Sequence, residues 1–139
     1  MRPLALSSLL LLAACTVAED AATGTAADAD DVPAARVLGP GERCLQASLI
    51  QNTDVQGAQV IDFRMRDGRT FRSTLPASCP GLAFEQRIAY DVSVGRLCHT
   101  DTVTVLHWGG GNTVPGARCR LGEFVPVELI EPDRDGTLD

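Results

Sequence analysis

The residues able to do chemistry are few: two histidines, five cysteines and twelve arginines, with no lysine. His99 and His107 stand near Asp91 and Asp101 in sequence, and His99-Thr100-Asp101 could set an imidazole and a carboxylate on one side of a strand end. Such a pair could relay a proton or hold a metal. Nothing else strengthens it. There is no G-x-S-x-G elbow, and Ser48, Ser73, Ser78 and Ser93 show no positional sign of activation. A solvated turn histidine and a strand-face histidine account for both residues. Gly109-Gly110-Gly111-Asn112 lacks the lysine and the helix of a phosphate loop, and reads as a hairpin connection. Trp108 beside it reads as a residue buried at a strand end. Arg64, Arg66, Arg69 and Arg72 crowd near one hairpin tip and could grip an anionic lipid or a carboxylate-bearing glycan. A charged sheet face that resists edge-to-edge aggregation is the simpler account. No catalytic residue, cofactor or metal is expected.

Sulfur chemistry is more informative. Cys44, Cys79, Cys98 and Cys119 form an even set in a short chain, which reads as two disulfides if the chain is exported. Zinc ribbons favour close C-x₂₋₄-C pairs, whereas 34, 18 and 20 residues separate these cysteines. Three pairings are open, and sequence alone does not choose among them. Cys79 follows a hairpin and Cys98 the next strand, while Cys44 and Cys119 begin the first and last strands. That order favours Cys79–Cys98 and Cys44–Cys119.

The fifth cysteine has a different setting. Arg2 and the apolar run Leu4 to Ala14 have the form of an export signal, too short for a bilayer core of about 30 Å. The run ends in Leu12-Ala13-Ala14-Cys15, which resembles the lipobox of bacterial lipoproteins. The resemblance implies cleavage before Cys15 and acylation of its sulfur and its new amino group, an anchor exceeding the two-signal threshold for stable membrane attachment. Thr16 in place of Asp implies, by the enteric sorting rule, the outer membrane, with the domain facing the periplasm. Residues 1–14 are thus a signal peptide. Residues 15–41, with Glu19, Asp20, Asp28, Asp30 and Asp31 against one Arg36, read as an acidic linker with a coil reach of about 25–30 Å. Residues 131–139 read as a disordered acidic tail.

Between Glu42 and Ile130 there are nine acids and nine arginines, so the folded part is neutral and the net charge of −6 reflects the chain ends. A chain without cation excess is a poor nucleic-acid binder. Its length allows one domain, over residues 42–130.

The elements that would carry these residues are strands. Ile61, Phe63 and Met65 alternate with Asp62, Arg64 and Arg66, and Phe71 recurs after Asp67-Gly68. A three-residue loop, Arg66-Asp67-Gly68, keeps Phe63 opposite Phe71, requires left-handed Gly68, and sets Asp62 opposite Arg72 as an exposed ion pair. Further strands are expected at Leu45–Leu49, Ile88–Val94, Thr102–Trp108 and Leu121–Leu129. Pro126 would confine the last to an edge or a bulge. Residues 52–57, 76–82 and 109–116 read as loops. The expected fold is all-β: a small antiparallel barrel or sandwich of about six strands, stapled by two disulfides.

The set Phe63-Arg64-Met65-Arg66-Asp67-Gly68-Arg69-Thr70-Phe71, Thr74-Leu75-Pro76, Cys79-Pro80-Gly81-Leu82, Arg96-Leu97-Cys98, Asp101–Val105 and Cys119–Val127 resembles a family of short proteobacterial envelope proteins of unknown function. The resemblance covers about residues 43–127. It implies a common fold and disulfides but carries no activity. The functional expectation is a non-enzymatic envelope lipoprotein, with an envelope protein or an anionic glycan or lipid as partner. The alternative is a small periplasmic hydrolase or metal-dependent enzyme using His99 and His107.

Overall fold

A computed structural model describes residues 32–131; the leader, Cys15 and most of both acidic ends lie outside them. Among the described residues, ten strands form three antiparallel sheets. The largest has five: β1 (Ala35–Val37), β10 (Phe124–Leu129), β5 (Thr70–Thr74), β4 (Val60–Met65) and β3 (Ile50–Val55), in that order across the sheet. A three-stranded sheet holds β6 (Ile88–Tyr90), β8 (Thr102–Gly109) and β9 (Asn112–Arg120). A two-stranded ribbon pairs β2 (Cys44–Gln46) with β7 (Arg96–Cys98). One helical turn, α1 (Leu82–Glu85), packs on β8. The fold is sandwich-like, and the described strands close no barrel.

Period-two alternation builds the core. Ile61, Phe63 and Met65 from β4, Phe71 from β5 and Phe124 from β10 face inward. They meet Val103 and Val105 of β8, with Leu45 and Leu97 of the ribbon alongside. Phe63 joins the two larger sheets, standing edge-on to Phe124 at 5.3 Å and to Tyr90 of β6 at 6.4 Å between ring centroids. Partial burial of the Tyr90 phenol pushes its pKa up.

The β4–β5 hairpin has the expected register, Phe63 opposite Phe71 and Asp62 opposite Arg72. Gly68 closes the loop at φ +89°, donating its N–H to the Met65 carbonyl. A side chain there would be strained, which explains the glycine.

Several expected boundaries move. Residues 33–41 are not tether. β1 lies within them and pairs with β10, Ala35 opposite Leu129, and Glu42 N–H donates to the Phe124 carbonyl. Hence β10 is flanked on both sides, and Pro126 does not mark an edge; its carbonyl accepts the Leu38 N–H. Residues 52–55, read as loop, belong to β3, where Asn52 and Asp54 face outward opposite Arg64 and Asp62. Leu45–Leu49 is not one strand, because a 3-10 turn over Ala47–Leu49 breaks it. The Ile88 strand stops at Tyr90, and the chain turns at Val94-Gly95, both at positive φ. The Leu121–Leu129 strand begins only at Phe124. The expected loop 109–116 shrinks to a two-residue turn at Gly110-Gly111, with β9 beginning at Asn112.

Candidate functional site

The disulfides are Cys44–Cys98 and Cys79–Cys119, so the pairing favoured by chain order is wrong. The reason is β1. It occupies the place beside the last strand, leaving β2 to pair with β7. That register puts Cys44 directly opposite Cys98, with their Cα atoms 4.0 Å apart. Cys79, buried after β5, reaches Cys119 on β9 and ties the end of the five-stranded sheet to the three-stranded one.

The four arginines of the β4–β5 hairpin do not make one anion patch. Arg72 is turned inward: its guanidinium donates two hydrogen bonds to Asp62, at 2.7 and 2.8 Å, and a third to the Pro33 carbonyl at 2.9 Å. The Asp62 side chain is fully buried and that of Arg72 is 14% exposed, because residues at the start of the described chain cross over them. The exposed pair expected here is a buried bidentate one. Arg64 Nε lies 2.7 Å from Asp54 Oδ2, too oblique to count as a hydrogen bond, so that buried oxygen has a Coulombic neighbour but no donor. Arg69 stacks on Phe71 and donates to Asp67, whose carboxyl pKa is held down first by the Arg69 backbone N–H and then by its side chain. Arg66 donates to the Ser48 carbonyl. A shallow depression of 690 Å³ beside Arg64 and Arg69 is also lined by Glu128 and Glu131, so it is mixed in sign.

The histidines do not converge. His99 lies in the turn before β8 and His107 near its other end, and the strand from Thr102 to His107 alone spans about 17 Å. Asp101 is not available to His99: its carboxylate accepts the Cys98 N–H at 2.7 Å and closes the turn. His107 has a partner that spacing did not reveal, Glu85 of α1, at 2.9 Å from Nδ1. This hydrogen bond is the main cause lowering the Glu85 carboxyl pKa. The ring fits because β9 has glycine beside it; a Cβ at Gly116 would overlap the imidazole. The pair pins α1 to β8. Among the described residues, no group of three or more His, Cys, Asp or Glu could hold a metal ion.

The surface with unanswered polarity is elsewhere. On the outer face of the three-stranded sheet, Thr104 pairs with Arg118, Thr102 with Arg120, and Trp108 with Thr113. Trp108 is 62% exposed, not buried, and the Arg87 guanidinium lies 5.6 Å from its ring centroid. The sequence signal for this face was the strand alternation itself. With Val103 and Val105 inward, Trp108 has even parity and must face out.

No protein-family model, curated protein or solved structure matches this chain. No helix among the described residues is long and apolar enough to cross a membrane.

Proposed function

We propose that the chain is a non-enzymatic cell-envelope lipoprotein: a disulfide-stapled β domain that serves as a binding module, held at the outer membrane on its periplasmic side by acylated Cys15. The observation that carries this reading is cysteine bookkeeping. Four of the five cysteines pair with one another, which suits an oxidising compartment. The remaining one sits at the lipobox position, after Leu12-Ala13-Ala14. The separation of His99 from His107, and the use of Asp101 and Glu85 as structural ties, weigh against the two-histidine enzyme.

Cell fractionation tests the proposal. The natural chain should pellet with membranes and incorporate labelled fatty acid, and Cys15→Ser should release it. A Cys15→Ser chain that stays in the membrane would remove acylation as the anchor. Substituting both histidines by Ala should leave any host phenotype intact; loss of phenotype with the fold preserved would instead favour an enzyme.

A further inference from the structure

We infer that the outer face of the three-stranded sheet, led by the Trp108 end of the β8–β9 hairpin, docks on an anionic lipid surface. The inference takes from the envelope reading only that a membrane is within reach. Three observations carry it.

The first is charge. Strands β6, β8 and β9 contain no acidic residue at all, while Arg118 and Arg120 project from β9 and Arg87 stands over Trp108. Two of the three nearest acids are committed, and the third lies toward Thr102 and its partner Arg120, at the far end of the face. Glu85 is turned to His107, Asp101 closes the turn after Cys98, and Asp91 follows β6 at the end away from Trp108. A domain that is neutral in sum therefore shows one cationic face.

The second is apolar exposure at the same end. Trp108 is 62% exposed, and Leu106, two residues before it on the same face, is half-buried. The exposed Val114 pairs with His107 and so lies on the other side of the hairpin, as does α1 through Glu85, leaving Trp108 as the aromatic contact of the outer face. Tryptophan and its apolar neighbours suit the boundary between headgroups and acyl chains, with arginines at phosphate level.

The third is what the face lacks. Its strands hold a single amide, Asn112 at the turn, and no carboxylate, so the aromatic ring has few of the acceptors that would fix sugar hydroxyls. A smooth face of Trp, Leu, Thr and Arg matches a lipid surface better than a glycan.

Trp108 is the only tryptophan, so its emission reports the contact directly. The mature chain carrying Cys15→Ser, with both bridges intact, is mixed with vesicles containing phosphatidylglycerol and with vesicles of phosphatidylcholine alone. Emission should shift to the blue and protein should sediment only with the anionic vesicles, and added salt should reverse both. Each arginine near an anionic surface changes partitioning about fivefold, so Arg87→Gln/Arg118→Gln/Arg120→Gln should lower it about a hundredfold. Trp108→Ala should weaken sedimentation, while Arg66→Gln should leave it unchanged. Equal binding to both vesicles, an unmoved emission, or a triple variant that binds like the natural chain would overturn the inference. So would pelleting with cell-wall sacculi but not with vesicles, or a dimer that covers Trp108 without lipid. The probe lacks the acyl anchor, so failure here leaves the envelope reading standing; a natural chain found in the cytosol would fail that reading alone.

Discussion

On the outer face of the five-stranded sheet, arginine alternates with aspartate: Asp62 holds Arg72 and Asp54 lies against Arg64. On the outer face of the three-stranded sheet, Arg87 stands over Trp108, Arg118 and Arg120 lie farther along β9, and the strands offer no carboxylate. The residue type is the same and its role is opposite. In the first sheet the opposed Asp54 and Asp62 would repel if left alone, and the arginines offset that repulsion while filling the face. In the second, among the described residues, the only side-chain hydrogen bond from an arginine runs from Arg118 to the Thr102 hydroxyl. Arginine density along the chain is thus a poor guide to a binding surface. What counts is whether the neighbouring strand supplies an acid.

The comparison can be broken at several points. The largest effect is expected where the sheets are tied together. Replacing Cys79 and Cys119 by Ala should cost about 4 kcal/mol from the freed loop of the unfolded chain, and about 1 kcal/mol more for packing lost at the buried Cys79. Urea denaturation measures it. Asp62→Ala comes next, at about 3 kcal/mol, because it strands the largely buried Arg72. The Pro33 carbonyl and the residual exposure of Arg72 hold the cost at the lower end. Arg64→Ala removes a half-exposed partner and should cost about 0.2–1 kcal/mol. Arg118→Ala on the other face should stay within about 0.5 kcal/mol. If Arg118→Ala proved as costly as Asp62→Ala, the two faces would not differ in kind.

The smallest effect is pH-dependent. The Glu85 carboxyl pKa is lowered in the folded chain by His107, so the unfolded chain binds this proton more readily. The stabilisation is complete above the ordinary value of 4.5 and fades as pH falls through the folded value. Glu85→Gln should flatten that part of the acid-stability curve, followed by thermal unfolding across the acid range.

Local patterns in the sequence reached some of this and missed the rest for identifiable reasons. The β4–β5 hairpin was legible because alternation, loop length and Gly68 all point to one register. β1 was not. Ala35-Arg36-Val37 sits in an Ala- and Asp-rich stretch, and only pairing with β10 makes it a strand. Without β1 beside the last strand, chain order points to the wrong cysteine pairing. Residues 52–55 read as loop because Asn52 and Asp54 disfavour strands, yet both lie on the polar outer face of β3 opposite Arg64 and Asp62. The inward turn of Arg72 and the Glu85–His107 contact join residues far apart in sequence, and no spacing rule announces them.

The central claim, an exported domain anchored at Cys15 with its other cysteines paired, is tested most directly by the intact mass of the chain taken from its native cells, before and after thiol reduction. The account predicts a chain beginning at Cys15, heavier than its residues by a diacylglyceryl group and one further acyl group, that gains about four mass units on reduction, two per bridge. A full-length chain beginning at Met1, without lipid and unchanged by reductant, would contradict it.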